Sequence, residues 1–355
     1  MTKELGPAIT GIGMYAPELI RENKHFEQRG MNTSDEWIRR NTGIKRRHIA
    51  SFAEATSDLA TKAAEEALAM ADLDPDKIGQ IVVATATPDM IFPSTACKVQ
   101  ANLQAVHSGA FDLSAACSGS LYALAYTYGM HRAGMQDNSL VIGAETLSRI
   151  VDPDDRGTAI LFGDGAGAVV VQNVQDAEPS HFLLKADGSK GDLLMLPAGG
   201  SRFPASKETI ATGMHHVQMR GHDVFKEAVE RMTEVSVELL QRAGMTNAQG
   251  EVDPRRINLV IPHQANQRIM DMVGRRLGIP KDKLFSNIEE YGNTSAASIL
   301  IAMYDAYHQG RIHKDDTLLL VSFGGGFTYA AGIIQWHLEA PRLGFREKIA
   351  QRLRR

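Results

Sequence analysis

Two stretches decide the fold: "FDLSAACSGS", Phe111 to Ser120, and "NIEEYGNTSAAS", Asn287 to Ser298. Each opens a helix, and the order of elements around each is the same. In the first half a strand ending "VVATATP" leads through a loop and helix to the Cys117 junction, then to "SLVIGAE" and the glycine-rich "GDGAGAVVV". In the second half "LVIPHQAN" leads through a helix to the Asn293 junction, then to "TLLLVSFGGGFTYAAGIIQ". Val82 precedes Cys117 by 35 positions and Val260 precedes Asn293 by 33. A repeat on this scale reads as an internal duplication, two related α/β halves, with Asn293 as the counterpart of Cys117. The halves are expected at 1–176 and 177–340, followed by a basic tail at 341–355.

The apolar runs Ile78 to Pro88, Ser139 to Ser148, Gly165 to Gln172, Ile257 to Asn266 and Thr317 to Gly326 read as strands covered on both faces. Between them lie helical patterns. Ser57 to Leu73 opens with a candidate Ser cap, and Gly221 to Gly244 closes on a glycine stop. Leu196 to Gln218, rich in Gly, Pro, Ser and Thr, reads as a long surface loop or lid. In the tail six basic residues accompany one acidic one; Phe345, Ile349 and Leu353 share the spacing of a short amphipathic helix, but a frayed basic end docked loosely on the body is the preferred reading.

The composition is that of a globular protein with a sizeable core: 355 residues, 43% hydrophobic and 23% charged. A net charge of -4 gives no reason to expect a nucleic-acid partner. The N-terminal sequence lacks signal-peptide features and no run approaches the ~20 apolar residues of a spanning helix, so a cytoplasmic protein without a membrane span is expected. Two cysteines, Cys97 and Cys117, allow neither a disulfide framework nor a Cys-x-x-Cys metal pair.

A cysteine at the first turn of a helix meets the positive end of the helix dipole and unpaired backbone N–H groups, which favour thiolate. The same N–H groups are the ingredients of an oxyanion hole. Cys97, inside a helical pattern, reads as a buried packing residue. His263 follows a strand and Asn293 opens a helix in the second half. Ligands gather at the carboxyl ends of parallel strands, so two halves packed about a pseudo-two-fold axis would bring Cys117, His263 and Asn293 together. A Cys-His-Asn order, with His263 146 positions after Cys117, also fits a papain-like cysteine hydrolase, although "ACSGS" lacks that family's setting. A non-catalytic binding module would not need all three residues.

Six motifs in order, "TSDEWIRRNTGIKRRHIA", "AACSGS", "DPDDRGTAILFGDGAGA", "PHQANQRI", "GNTSAAS" and "SFGGGFT", closely resemble the β-ketoacyl-acyl carrier protein synthase III family over residues 7 to 337. The resemblance implies a thiolase-like fold, two pseudo-symmetric α/β halves in a layered αβαβα sandwich. It implies a decarboxylating condensation of an acyl-CoA with malonyl-ACP, giving 3-oxoacyl-ACP, CO2 and CoA through acyl-Cys117. In that role the backbone N–H groups of Cys117 and Gly325 hold the oxyanion, and His263 and Asn293 donate hydrogen bonds to the malonyl thioester oxygen. No metal or redox cofactor is implied.

By the same resemblance Trp37 and Arg156 sandwich the CoA adenine, while Phe225 and Asn266 also contact CoA. Phe92 crosses the interface of a homodimer and closes the acyl pocket. Lys226, Arg268, Arg275 and Arg276 form a basic patch for the carrier protein; a solvated helix face accounts for them as well. The chain departs from the family at Asn41, where many members carry arginine, and at His222, commonly asparagine. A thiolase would carry a second cysteine near the C-terminal glycine motif, and "SFGGGF" has none. "GIGMYA", Gly11 to Ala16, approaches a dinucleotide fingerprint but is interrupted by Pro17, and "GDGAGA" runs straight into a strand. His215 and His216 have no second ligand pair at metal spacing.

Overall fold

A computed structural model describes residues 5–247 and 249–340; the basic tail at 341–355 lies outside the described residues. Nine strands build two mixed sheets: β1 (Leu5–Tyr15), β2 (Gln80–Ala84), β3 (Gly109–Leu113), β4 (Asn138–Thr146), β5 (Asp164–Gln175), β6 (His181–Ala186), β7 (Leu259–Pro262), β8 (Thr317–Gly324) and β9 (Thr328–Gln335). The first sheet has the order β1-β5-β4-β2-β3 and the second β6-β9-β8-β7. In the first, β2 runs parallel to β3 and β4, while β5 is antiparallel to β4 and β1. The second repeats this: β7 is parallel to β8, and β9 is antiparallel to β8 and β6. A single parallel bridge from Val260 to Leu284 stands where β3 pairs in the first sheet.

Seven helices position the site: α1 (Asp35–Thr42), α2 (Thr56–Ala71), α3 (Thr95–Asn102), α4 (Gly119–Arg132), α5 (Gly221–Arg242), α6 (Gln267–Arg276) and α7 (Ser298–His308). Ile81 and Val83 pack outward with α2 and α3, whereas Val82 and Ala84 pack inward with α4 and α7. This period of two explains why the strands read as continuous apolar runs. In the second sheet Leu259 and Ile261 face the same inner layer, and Val260 faces α5 and α6. The five layers are therefore α2/α3, first sheet, α4/α7, second sheet, α5/α6, the αβαβα sandwich that the resemblance implied.

Several expectations are corrected. The α2 cap is not Ser57: Asp58 accepts from the Ala55 N–H, and Ser57 lies inside the first turn with both its N–H and its hydroxyl bonded to Asp89. Cys97 is exposed rather than buried, three residues past the Ser94 cap of α3. Leu196 to Gln218 is not an open loop. Leu194–Met195 pairs with Gln218–Met219 across it, and Lys207–Ala211 forms a short helix capped by Ser206. "GIGMYA" belongs to β1, where a Cβ on Gly11 or Gly13 would stand 2.2 or 2.3 Å from the Ala67 or Ala63 carbonyl of α2. Those glycines let an alanine-faced helix ride directly on the strand.

The duplication also has a different register from the one read off the spacing. A one-turn 3-10 helix, Ala116–Ser118, leads into α4, and its counterpart Ser295–Ala297 leads into α7. Ala116 and Ser295 both have left-handed φ, 46° and 47°. The counterpart of Cys117 is thus Ala296, and Asn293 lies three residues earlier.

Candidate active site

The carboxyl ends of five strands deliver the site, as expected for α/β sheets. Cys117 follows β3, Glu145 is the last residue but one of β4, His263 follows β7, and Gly324 ends β8 with Gly325 just after it. Thr85 to Thr87 extend β2. Two cavities meet at Cys117, each holding about 490 Å³ of free space counted out to its mouth. The first brings together Cys117, His263 and Asn293, with Phe225 and Asn266 in its wall. The second is walled largely by apolar side chains, among them Leu147, Ile150, Leu196 and Val217, with Ser295 and Gly325 beside Cys117. Phe162 and Leu194 border both.

Cys117 is only 6% exposed. Its turn is pinned across the molecule: the Thr328 hydroxyl donates to the Ala115 carbonyl at 2.8 Å, and the Ser118 hydroxyl to the Thr328 carbonyl at 3.3 Å. Burial pushes the Cys117 thiol up to about 12, with the charge of Glu145 acting the same way; a hydrogen bond from Ser295 and the cysteine's own N–H oppose it. The helix start therefore does not make a resting thiolate, contrary to the sequence expectation, because the desolvation of a closed cavity outweighs it.

A Cβ on Gly324 would stand 2.7 Å from the Cys117 nitrogen and 3.0 Å from that of Ser118. Backbone atoms cannot rotate aside. Gly324→Ala is expected to lower stability by roughly 1–3 kcal/mol, the range for overpacking, and to slow iodoacetamide alkylation of Cys117; a thermal melt and an alkylation time course check both.

His263 has no exposed surface. Its N–H donates to the Val321 carbonyl at 2.8 Å, fixing it beside β8. Nδ1 lies 2.7 Å from the Ser298 hydroxyl, while Nε2 is buried with no hydrogen-bond partner among the described residues. Burial pushes its pKa down to about 3, so the ring is neutral at physiological pH. Asn293 accepts from the Ser295 N–H at 2.9 Å through Oδ1, which leaves its NH2 group to donate.

Trp37 and Arg156 are in contact, the guanidinium 4.9 Å from the ring centroid, with Arg156 donating to the Asn32 carbonyl. A ring stacked between two planes needs about 7 Å, twice an ordinary carbon contact, so an adenine enters only if the exposed Arg156 moves. Asn41 links this pair to the cavity: its side chain donates to Trp37, its carbonyl accepts from Asn266 at 3.0 Å, and Arg268 reaches its Oδ1. Arg268 also lies 5.5 Å over the Phe225 ring. Lys226, Arg275 and Arg276 are exposed on α5 and α6. Arg275 and Arg276 occupy the last turn of α6, where a helix dipole favours cations on structural grounds alone. His222 is exposed at the start of α5.

Phe92 borders neither cavity of the chain; it is 83% exposed beside Ile91 at 79%. Among the described residues no cluster of three His, Cys, Asp or Glu side chains is suited to a metal ion, and no helix is long and apolar enough to cross a membrane. Glu145, Ser295, Ser298 and Thr328 were not singled out from the sequence. Only the repeat of left-handed residues at Ala116 and Ser295 would have marked Ser295, and that is a property of the backbone.

Residues 111–188 match the family model described as 3-oxoacyl-[acyl-carrier-protein (ACP)] synthase III, and residues 214–336 its C-terminal model. The chain is 49% identical over 337 residues to a beta-ketoacyl-[acyl-carrier-protein] synthase III of Caldanaerobacter subterraneus subsp. tengcongensis, covering 95% of this chain and 99% of the relative. A beta-ketoacyl-[acyl-carrier-protein] synthase III of Clostridioides difficile is 47% identical over 93% of this chain and 98% of its own. The crystal structure of 3-oxoacyl-[acyl-carrier-protein] synthase III from Aquifex aeolicus superposes with a TM-score of 0.84 at 44% identity, covering 93% of this chain and all of that one.

Proposed function

The chain belongs to the β-ketoacyl-[acyl-carrier-protein] synthase III family, condensing acyltransferases of thiolase-like fold that initiate fatty-acid synthesis, and on that premise we propose that acyl-Cys117 is the intermediate of its reaction. The observation that carries this reading is the meeting of two cavities at one buried thiol, with His263 and Asn293 on one side and an apolar pocket on the other.

An acyl-CoA enters with its acyl chain in the apolar cavity. The Cys117 sulfur attacks the thioester carbon, the N–H groups of Cys117 and Gly325 hold the oxyanion, and CoA leaves as its thiolate. Its pantetheine arm runs past Phe225 and Asn266 toward Trp37 and Arg156. Malonyl-ACP then binds in the first cavity. Loss of CO2 leaves an enolate whose oxygen accepts from His263 and Asn293, and its carbon attacks acyl-Cys117 to give 3-oxoacyl-ACP. No metal or redox group enters these steps.

The donor role requires His263 to carry its proton on Nε2. The Ser298 hydroxyl, 2.7 Å from Nδ1, meets this requirement by donating to Nδ1, which leaves the proton on Nε2. Ser298→Ala is expected to slow malonyl-ACP decarboxylation roughly tenfold, the value of about one hydrogen bond, with acyl loading unchanged; comparing CO2 release with loading tests it.

The exposed Phe92 and Ile91 support a homodimer in which Phe92 enters the partner's acyl pocket. Arg268 over Phe225 at the cavity wall, the neighbouring Lys226, and Arg275 and Arg276 at the far end of α6 are read as the acyl carrier protein surface. The same reading makes 1–176 and 177–340 the two halves and the enzyme cytoplasmic. The test of function is incubation with acyl-CoAs and malonyl-ACP: 3-oxoacyl-ACP formed with matching CO2 release supports it. Ester or peptide turnover without malonyl-ACP would make the protein a cysteine hydrolase instead, and no turnover of any kind a binding module.

A further inference from the structure

Glu145, the last residue but one of β4, has no exposed surface. Every hydrogen bond it accepts comes from a neutral donor. The Thr87 hydroxyl donates at 2.6 Å and that of Thr85 at 3.3 Å; the Ala86 N–H reaches both carboxylate oxygens at 3.2 and 3.1 Å, and the Ala296 N–H donates at 3.4 Å. Ser295 precedes Ala296 in the same turn and lines the second cavity beside Cys117, and its hydroxyl pulls down the pKa of both Glu145 and Cys117. Ser295 thus stands between the two, in a left-handed conformation with φ 47° and its N–H donating to the side-chain Oδ1 of Asn293.

Of the elements around Glu145, the end of β2 presents only Thr85 and Thr87, the Ser295–Ala297 turn only Ser295, and the Ala116–Ser118 turn only Cys117 as a titratable group. Burial pushes Glu145 up to about 7, against the donors that pull it down. A group with that pKa both accepts and returns a proton at neutral pH.

We propose that Glu145 takes the Cys117 proton through the Ser295 hydroxyl during acyl loading and returns it when condensation frees the sulfur. This rests on the acyl-Cys117 reading. As the Cys117 S–H bond breaks, its electron pair forms the new bond to the thioester carbon. The proton passes to Ser295 Oγ while the Ser295 proton passes to a Glu145 oxygen. The C–S bond to CoA breaks with its electron pair on CoA sulfur, which takes a proton from water outside the cavity. When the enolate carbon displaces Cys117, the thiolate released recovers the proton from Glu145 by the reverse route. Glu145 acts through Ser295 and touches no reacting atom, so it is a positioning residue; Ser295 is the group that shares the cavity wall with Cys117.

The test measures iodoacetamide alkylation of Cys117 against pH between 5.5 and 9.5, roughly the range that brackets neutral pH, in the full-length protein, Glu145→Gln and Ser295→Ala, beside acyl-CoA loading. The unaltered protein is expected to show alkylation rising through about pH 7, as Glu145 ionises and becomes able to accept. Both variants are expected to lose that rise and to alkylate and load at least about tenfold more slowly at pH 8, the low end of a general-base contribution. Superimposable pH profiles in all three proteins would overturn the proposal, as would wild-type loading by Ser295→Ala. If Glu145→Gln does not fold, Ser295→Ala decides alone, because it leaves the carboxylate in place. Alkylation needs no acyl-CoA: a protein with the pH 7 rise that loads no acyl group would contradict the acyl-Cys117 reading and leave the relay standing.

Discussion

Cys117→Ser is expected to abolish acyl loading and to reduce condensation by about 10⁴-fold or more, the scale seen when a nucleophile is removed from an assembled site. At ~1.36 kcal/mol per decade this is a loss of ~5.4 kcal/mol of barrier lowering. The environment already holds the thiol up to about 12, and an alcohol starts from a much higher value in the same dry cavity. The fold is expected to survive, because the smaller hydroxyl adds no bulk and the turn is held by Thr328 and Ser118 rather than by the thiol. Intact-mass loading and a thermal melt check the two halves of this expectation. Malonyl-ACP decarboxylation should persist, since His263 and Asn293 are untouched.

His263→Ala is expected to produce the complementary defect. Loss of one oxyanion-type donor costs about 10²–10³ in rate, so CO2 release and condensation should fall by that amount while acyl loading stays within a few-fold of normal. His263 lines the first cavity, its Nε2 has no hydrogen-bond partner among the described residues, and it makes no hydrogen bond to Cys117. Because His263 titrates only at about 3, its removal should leave the shape of the pH profile near neutrality the same in variant and unaltered enzyme. Asn293→Ala is a less selective probe, since it also frees the Ser295 N–H that Asn293 caps. Measuring CO2 release and loading side by side in both variants separates the two half-reactions.

The core strands were legible because both faces of each sheet are covered, which turns Ile81 to Ala84 and Leu259 to Pro262 into unbroken apolar runs. β1 was not, since Gly11 and Gly13 carry no strand propensity and serve α2 instead. Cys117, His263 and Asn293 were legible as polar residues at repeated junctions. Their exact correspondence was not: the true mate of Cys117 is Ala296, a residue with no chemistry, and only the paired left-handed residues Ala116 and Ser295 mark it. The thiol's high pKa was misjudged for a related reason. Sequence places Cys117 at a helix start, but closure of the cavity by Phe162, Leu194 and Phe323 comes from three distant segments. Glu145 escaped notice because a lone glutamate at a strand end reads as a surface residue until the opposite half folds over it.

The central claim is that one buried thiol carries the acyl group and surrenders it only to a decarboxylated malonyl unit. Intact-mass spectrometry of the full-length protein, incubated with acyl-CoAs from acetyl to dodecanoyl and then with malonyl-ACP, tests it most directly. The account predicts a single acyl adduct, mapped to Cys117, that survives buffer and disappears on addition of malonyl-ACP with release of CO2. An adduct that water discharges at the same rate without malonyl-ACP, or no adduct with any chain length in a folded protein, would contradict it.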